Sequence, residues 1–228
     1  MSELKGAVLE ARDITVSFGG FVAVSDASLA AQPGQVTSLI GPNGAGKTTM
    51  FHAMSGILEP DQGQTFLDGR NLKGMSPDRR ARAGMARTFQ ILELFSGLSV
   101  AENLQVAVEG RSTARIWRDL FSLRHPDSPE VLRRVQDAME LVGIADLADR
   151  PAGSLPTGLS RLVELARALC TDPQVLLLDE PASGLSGAET DRLHSVLTTL
   201  AGLGLTILLV EHDIELVMAL STQIYVLA

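Results

Sequence analysis

The chain has 228 residues, of which 45% are hydrophobic and 20% are charged, a composition typical of a globular protein with a substantial core. Its net charge of −8 argues against nonspecific nucleic-acid binding, and its one cysteine, Cys170, excludes an intramolecular disulfide framework. The N-terminus carries no signal-peptide pattern, and no apolar run approaches the ~20 residues that span a bilayer. We therefore expect a soluble, cytoplasmic chain that meets a membrane only through another protein.

The N-terminal part of the chain predicts strands. Apolar and polar side chains alternate over 7–18, as in a strand with one solvated face. Gly19-Gly20 predicts a hairpin turn into a second strand over 21–29. The run Val36–Ile40 then predicts a buried strand.

The segment after this buried strand has the pattern of a phosphate-binding loop. It spells G-x-x-x-x-G-K-T over 41–48, and residues 50–56 predict a helix. Glycines let backbone N–H groups turn inward around an anion, and the N-terminus of the helix adds its positive dipole end. Lys47 can reach the β- and γ-phosphates, and the Thr48 hydroxyl can ligate Mg²⁺. The candidate nucleotide-contacting residues are Gly41, Pro42, Asn43, Gly44, Ala45, Gly46, Lys47, Thr48 and Thr49.

In the middle of the chain, short strands are predicted first and helices after them. Strands are predicted at 64–67 and 85–90, on either side of a basic helical piece over 76–84 whose arginines we expect to face solvent. Further helices are predicted at 100–108, 115–123 and 130–142.

These three helices follow one another with no strand predicted between them, which breaks the alternation of strands and helices. An inserted helical subdomain over about 91–165 is therefore expected. In its final helix, apolar residues recur at intervals of four, four and three from Val131, which predicts a stripe of core residues.

Two carboxylates end the next predicted strand. Val175–Asp179 is apolar up to its last residue and predicts a strand buried on both faces of a parallel sheet. A core does not hold Asp179 and Glu180 without a cation or a donor. Because the carboxyl ends of parallel strands line the ligand crevice, we expect Asp179 beside the phosphate loop, holding Mg²⁺ through water. Glu180 is then placed to orient or deprotonate a water molecule.

The C-terminal part repeats the same plan. His212 follows another buried strand, over 205–210, and this position at the crevice favours a role in the site over a structural one. Helices over 188–200 and 213–219 and a strand over 223–227 complete the prediction.

Some side chains have both a structural and a functional interpretation. Phe18 either fills the core or stacks on a nucleotide base, and residue type alone favours the core. Cys170 lies in an apolar run and is interpreted as a small buried residue rather than a reactive thiol. Trp117 lies among arginines, in a helix that either contacts a partner or a membrane surface or is simply exposed; we favour exposure.

With these motifs placed, the chain resembles the ATPase subunits of ABC transporters over nearly its whole length. The resemblance depends on the loop at 41–49, Gln90 after A-R-T-F, L-L-L-D-E-P at 176–181, the segment 155–167 and E-H-D at 211–213, in the family's order and spacing. The run A-R-T-F-Q, with L-F and E-N-L downstream, most resembles branched-chain amino-acid importer ATPases. Related lipid-export ATPases share parts of it.

The resemblance implies an α/β fold. A P-loop NTPase core with a mainly parallel sheet would comprise 1–90 and 166–228, with an N-terminal antiparallel β subdomain. The inserted α-helical subdomain, 91–165, would carry the family's signature segment.

The resemblance also implies ATP and Mg²⁺ as cofactors and a role for each site residue. Phe18 falls where the family stacks an aromatic ring on adenine, which reverses the preference for the core. Glu180 would be the general base of ATP hydrolysis, His212 would contact the γ-phosphate, and Gln90 would sense it. The Mg²⁺ ligands would be Thr48, Gln90 and Asp179.

The implied partners are a second ATPase subunit and integral membrane permease subunits, with no nucleic acid. Two ATPase subunits, identical or different, would close head to tail, so that each ATP lies between one phosphate loop and the partner's signature segment. The chain would then sit on the inner face of the cell membrane through the permease.

The sequence departs from the family pattern in three places. Leu155-Pro156-Thr157-Gly158-Leu159 replaces the family's Leu-Ser-Gly-Gly-Gln: Pro156 supplies neither hydroxyl nor N–H, Leu159 cannot hydrogen-bond, and Thr157 is a candidate to compensate in part. Each lost phosphate contact could cost ~1.5–3 kcal/mol. Ser186 replaces an aspartate expected at the subunit contact. The family's C-terminal Gly, hairpin and helix do not follow the last strand, so either a sheet edge is exposed or the chain is cut short.

Other functions stay open at this point. A soluble ABC protein that acts on DNA or the ribosome is disfavoured by the acidic balance and the absence of a basic tail. A regulatory module without hydrolysis is disfavoured by intact Lys47, Asp179, Glu180 and His212. The weak signature suggests a further hypothesis, pairing with a different ATPase subunit.

Overall fold

The computed structural model describes residues 4–88, 94–110 and 128–228. By its contacts the chain divides into two compact units. The sheet unit comprises Met1–Gln90, Pro173–Ser183 and Thr190–Ala228, and the helical unit comprises Ile91–Asp172 and Gly184–Glu189. The predicted division into 1–90 with 166–228 and 91–165 stays a prediction.

The described elements follow the order expected of an α/β chain with a helical insertion. The strands are β1 (Leu9–Phe18), β2 (Phe21–Ala31), β3 (Val36–Ile40), β4 (Gln62–Leu67), β5 (Arg70–Asn71), β6 (Met85–Arg87), β7 (Val175–Asp179), β8 (Thr206–Val210) and β9 (Gln223–Val226). The helices are α1 (Lys47–Ser55), α2 (Pro77–Arg82), α3 (Val100–Gly110), α4 (Pro129–Leu141), α5 (Thr157–Leu169), α6 (Gly187–Gly202) and α7 (Ile214–Leu220).

The larger sheet of the sheet unit is parallel throughout and has the order β6-β7-β8-β3-β9. Every residue of β7 and β8 is buried, which confirms the prediction of strands covered on both faces. Because all five strands run the same way, the segments that follow them leave from one edge of the sheet.

The smaller sheet is antiparallel, with the order β2-β1-β4-β5. The turn at Gly19-Gly20 joins β1 to β2 and pairs Phe18 with Phe21, as the hairpin prediction requires. Helix α1 packs against strands of both sheets, and its Met50, Phe51 and Met54 are fully buried in the core. This core fixes the helix that begins at the end of the phosphate loop.

The helical unit is built on α3, α4 and α5, which pack against one another. The stripe that begins at Val131 is buried at all four positions, which confirms it as core. Ser128 caps α4 by accepting a hydrogen bond from the N–H of Val131 at 3.3 Å. The helix predicted at 115–123, with Trp117, lies outside the described residues. Among the helices of the described ranges, none is long and apolar enough to cross a membrane.

One prediction about α2 is wrong, because Arg80 is buried instead of facing solvent. The hydrophobic surroundings are tolerated because its guanidinium donates to four backbone carbonyls. The acceptors are the carbonyls of Ala53, Met54, Leu72 and Met75, at 2.7–3.2 Å.

Cys170 is buried, as the structural interpretation predicted. Burial raises the pKa of its thiol to about 12, so the reactive thiolate is almost absent near neutral pH.

Candidate functional site

The phosphate-binding loop lies between β3 and α1, as the sequence predicts. Gly46 precedes the helix with φ +88°, in the left-handed region, and a Cβ on it would lie 2.3 Å from the carbonyl oxygen of Ala23. Glycine is therefore required here both for the backbone angle and for the close approach of β2. The helix starts at once, since the N–H of Met50 donates to Gly46 at 2.8 Å.

Lys47 is nearly buried and crosses the loop. Its Nζ donates to the carbonyl oxygens of Gly41, at 2.8 Å, and Pro42, at 3.0 Å. An ammonium has three N–H groups, and these two bonds hold the beginning of the loop over the start of α1. The N–H groups of the first turn of α1 have no acceptor within the helix, and the Thr48 side chain is exposed beside them. This is an arrangement that binds anions.

The strand register aligns the loop with the predicted acids. Leu39 of β3 pairs with Val210 of β8, and Val210 pairs in turn with Asp179 of β7. With neighbouring strands about 4.8 Å apart, the backbones of Leu39 and Asp179 are about 10 Å apart at the same level of the sheet. The loop that begins at Gly41 and the side chain of Glu180 therefore leave from the same edge, with one strand between them.

Asp179 is buried and pairs with Arg87 of the neighbouring strand β6. The distance from its Oδ2 to a guanidinium nitrogen of Arg87 is 3.4 Å. Burial raises the pKa of Asp179, and the charge of Arg87 opposes that rise. Arg87 also donates to the Ser55 hydroxyl at 3.1 Å and lies 4.7 Å from the centre of the Phe51 ring. It thus ties Asp179 to helix α1.

Arg87 was absent from the residues that sequence reasoning assigned to the site. The available signal was its place in a predicted strand, 85–90, whereas Asp179, Glu180 and His212 follow or end other predicted strands; the structure ends β6 at Arg87 and so puts it at the same edge. Arginine side chains are rarely buried, so residue type gave no reason to place Arg87 in the site. In the structure, the carboxylate of Asp179 compensates its charge.

Glu180 and His212 face each other across two adjacent strand ends. Nδ1 of His212 is 3.9 Å from a carboxylate oxygen of Glu180, and the N–H of Glu180 donates to Val210 at 2.9 Å. Glu180 has φ +46°, a left-handed backbone angle that is uncommon outside glycine. Such an outlier at a strand end is typical of a functional site.

Glu211 was noted in the sequence only as a neighbour of His212, yet it is the more deeply buried of the two. Its side chain is fully inaccessible and accepts hydrogen bonds from backbone N–H groups on both sides of the site. A glutamate at a strand end gives no hint of burial in the sequence, which is why this contact was missed.

Phe18 lies at the end of β1 with about half of its surface, 53%, exposed. This exposure contradicts the alternative in which it fills the core. The hairpin that carries it continues into Ala23, whose carbonyl touches Gly46 of the phosphate loop. Gln90 lies outside the described residues.

The segment that replaces the family signature begins α5 in the helical unit. Pro156 occupies the position before the helix and makes no side-chain capping bond. Gly158 is buried against Glu189, whose carboxylate oxygen would lie 2.2 Å from a Cβ at that glycine.

Ser186, the other departure, directly precedes α6 and has a local partner. Its N–H and its hydroxyl both donate to Glu189, at 2.9 and 2.8 Å. The pairing resembles a capping box, and these hydrogen bonds lower the pKa of Glu189. The serine therefore has a structural role at this helix end.

Comparison with known proteins agrees with this geometry. The family model described as "ABC transporter" matches residues 24–183, more than half of the chain. The chain belongs to the ABC transporter family, and its fold is that of the family's ATP-binding cassettes.

Among curated relatives, the chain is similar to transport ATP-binding proteins of bacteria. It is 39% identical to the high-affinity branched-chain amino acid transport ATP-binding protein BraF of Pseudomonas aeruginosa, over 96% of this chain and 88% of the relative. It is 40% identical to LivG of Escherichia coli K12, a protein of the same description, over 96% and 87%.

Two solved structures extend the comparison to the fold. The ADP conformation of an ATP-binding cassette of an ABC transporter is 28% identical, with a TM-score of 0.86, over 97% of this chain and 87% of that one. CbiO1 from Clostridium perfringens, described as part of the ABC transporter complex cbiONQ, is 27% identical, with a TM-score of 0.81, over 97% and 85%.

Proposed function

We propose that the chain binds and hydrolyses ATP and so powers an ABC membrane transporter. The observation that carries this proposal is the convergence of the phosphate loop, Asp179, Glu180 and His212 on one edge of the parallel sheet. A nucleotide triphosphate needs a cradle of N–H groups, a cation site and a base near its γ-phosphate, and these residues can supply all three.

The nucleotide would be held by groups that the loop and the hairpin provide. The N–H groups of the loop and the first turn of α1, with the Lys47 ammonium, would bind the phosphates. The exposed ring of Phe18 would stack on adenine.

Mg²⁺ fits the side chains at this edge, since it prefers oxygen ligands and both Thr48 and Asp179 offer oxygen donors there. Gln90 is the third proposed ligand. When bound, the cation would neutralise charge on the β- and γ-phosphates.

The reaction follows from the positions of Glu180 and His212. A water molecule would attack the γ-phosphorus in line as Glu180 takes its proton, and the bond from that phosphorus to the β–γ bridging oxygen would break. ADP and inorganic phosphate would be the products. With Nδ1 of His212 towards the carboxylates, its Nε2 remains on the side of the ring that can reach a γ-phosphate oxygen.

The names of the relatives favour import of branched-chain amino acids as the transport that this chain would power. We propose integral permease subunits and a second ATPase subunit, closing head to tail, as partners. The chain would then lie on the inner face of the membrane through the permease, with no nucleic acid bound. Transport of a lipid or another solute is the alternative.

The proposal is tested by calorimetry with Mg-ATP and by phosphate release. The wild-type chain should bind Mg-ATP and release phosphate, whereas Lys47→Ala should lose both, because the loop loses its cation and the two bonds that close it. Lys73→Ala, which removes an exposed lysine outside the site, is the matched control. Absence of heat and of phosphate with the folded wild-type chain would overturn the proposal.

The cargo and partners need a separate experiment. The tagged chain should co-purify with an integral membrane subunit from detergent-solubilised membranes, and the complex in proteoliposomes should take up leucine only when ATP is enclosed inside the vesicles. Co-purification with ribosomes or DNA instead would favour the soluble class of ABC protein.

The departures at Pro156 and Leu159 support an asymmetric pair as a second candidate. In such a pair this chain would contribute its phosphate loop and Glu180 to one site and its weak signature to the other. Adding a partner subunit with an intact signature should raise phosphate release. Fast, cooperative hydrolysis by this chain alone would contradict the asymmetric pair.

A further inference from the structure

A buried carboxylate joins the two loops that carry Glu180 and His212. Glu211 follows the last residue of β8, and its side chain is fully inaccessible to solvent. One carboxylate oxygen accepts a hydrogen bond from the N–H of Ala182, at 2.9 Å. The other accepts from the N–H of His212, at 3.0 Å, and lies 3.5 Å from the backbone nitrogen of Asp213.

The two oxygens therefore serve different loops. Ala182 lies two residues beyond Glu180, in a turn that the N–H of Ser183 closes by donating to the carbonyl of Glu180 at 3.1 Å. His212 begins the segment after β8. The side chain of Glu211 thus spans the gap between the loop after β7 and the loop after β8 at the level of the proposed chemistry.

A carboxylate suits this place better than any neutral side chain. It accepts hydrogen bonds at both oxygens, and its backbone partners Ala182, His212 and Asp213 all present N–H groups to it. Its Oε2 is also 3.7 Å from Nδ1 of His212. This contact favours the ring orientation in which Nδ1 points towards the carboxylates. Glutamine would present an NH₂ group to one of these donors.

We propose that Glu211 is a positioning residue for ATP hydrolysis: it holds the turn after Glu180 and the ring of His212 in one fixed arrangement. The inference rests on the proposed function, since it assigns a supporting role at that same site. Glu211 touches neither the nucleotide nor the water in this scheme; it acts through Ala182 and His212. Nucleotide binding, which depends on the loop between β3 and α1, should not need it.

The test compares Glu211→Gln with the wild-type chain for phosphate release and for Mg-ATP affinity. Misplacing catalytic groups by about 1 Å costs about 100-fold in rate, so we expect kcat to fall by about 10- to 100-fold. The Kd for Mg-ATP should stay unchanged, because the hydrogen bonds of Glu211 go to the loops after β7 and β8 and not to the phosphate loop. Glu215→Gln, which neutralises an exposed glutamate in the first turn of α7, is the matched control and should hydrolyse ATP at the wild-type rate.

A double-mutant cycle separates positioning from general damage. If Glu211 acts partly through His212, then Glu211→Gln should reduce kcat less in a His212→Ala background than in the wild-type background. Amide hydrogen exchange in a peptide covering 180–183 should speed up in Glu211→Gln, because the hydrogen bond from the N–H of Ala182 to this side chain is weakened or lost.

Several results would overturn the inference. These are a kcat of Glu211→Gln within twofold of wild type, a Kd that weakens in step with kcat, or full additivity with His212→Ala. If Glu211→Gln does not fold, the same measurements are made on Glu211→Asp, which keeps the charge but has a side chain too short to reach both loops. An inactive wild-type chain would instead count against the proposed function, so the two failures are distinguishable.

Discussion

Arg12 and Arg87 make the same contacts in very different surroundings. Arg12 pairs with Glu10 at 2.9 Å and lies 4.3 Å from the centre of the Phe66 ring. Arg87 pairs with Asp179 at 3.4 Å and lies over Phe51, but only 13% of the Arg87 side chain and 6% of the Asp179 side chain are accessible. The Arg12 pair is shorter and yet exposed, with 53% of the arginine side chain accessible. Burial rather than distance should decide which pair matters.

We predict that Arg87→Ala lowers the free energy of unfolding by about 3 kcal/mol, because Asp179 is left as a buried charge without its cation. Arg12→Ala should cost less than about 1 kcal/mol, since an exposed pair is weakened by solvent. Chemical denaturation of both variants measures the difference. Equal losses would show that the Asp179 pair is no more important to stability than a surface pair.

Cys170 offers a prediction about pH. Burial raises the pKa of its thiol from 9.0 to about 12, so between these values the unfolded chain loses a proton that the folded chain keeps. Stability should therefore fall as the pH rises above 9. The stability difference between the wild-type chain and Cys170→Ala should shift against the wild type by about 2 kcal/mol between pH 7.5 and pH 10.5. Denaturation at the two pH values measures it, and a difference that does not change with pH would contradict the buried thiol.

Helix α1 is held at its C-terminal end by Arg80. The guanidinium donates to the carbonyls of Ala53 and Met54 in the last turn of the helix, and the carbonyl of Ala53 also accepts from the N–H of Gly56 at 3.3 Å. The residue after the helix, Gly56, has φ +80°, and a Cβ there would lie 2.5 Å from Nε of Arg80. One glycine thus allows both the left-handed helix end and the approach of the arginine.

We predict that Arg80→Ala destabilises the protein by about 3 kcal/mol, because it removes the buried side chain's four hydrogen bonds to backbone carbonyls and opens a cavity. Arg79→Ala, an exposed neighbour on the same helix, should change stability by less than about 0.5 kcal/mol. Thermal unfolding of the pair provides the comparison. Similar values for both would mean that the buried hydrogen bonds contribute little.

The contact between Gly56 and Arg80 predicts a specific coupling. Gly56→Ala should be costly in the wild-type chain through both strain and collision, but the collision is absent once Arg80 is alanine. The cost of Gly56→Ala should therefore be smaller in the Arg80→Ala background by at least about 0.5 kcal/mol. Strict additivity would indicate that the backbone angle alone accounts for the glycine.

The elements that the sequence predicted best are those with unambiguous local signals. Doubly buried strands such as β7 and β8 have uninterrupted apolar runs, and the phosphate loop has fixed glycine spacing. Burial of Arg80 and Glu211 could not be predicted, because their compensating partners are backbone groups that only the folded chain brings near. Charged side chains are usually solvated, and that general rule failed at these two positions.

The parts of the candidate site come from distant segments of the chain, so a bound nucleotide should stabilise the whole sheet unit. At a concentration of 100 times Kd, Mg-ATP adds about 2.7 kcal/mol to the free energy of unfolding, which corresponds to a rise in Tm of about 5–10 °C. Glu180→Gln should show this rise, because it keeps the binding groups and removes the base. Lys47→Ala should not. A rise of the same size in Lys47→Ala would place nucleotide binding elsewhere in the molecule.

The central claim, that Glu180 deprotonates the attacking water at a site built on the phosphate loop, is tested most directly by phosphate release and Mg-ATP binding in Glu180→Gln. We expect a kcat at least about 100-fold below wild type, as for loss of a general base, with an unchanged Kd for Mg-ATP. Glu215→Gln should match the wild type in both. Near-normal turnover by Glu180→Gln would contradict the account.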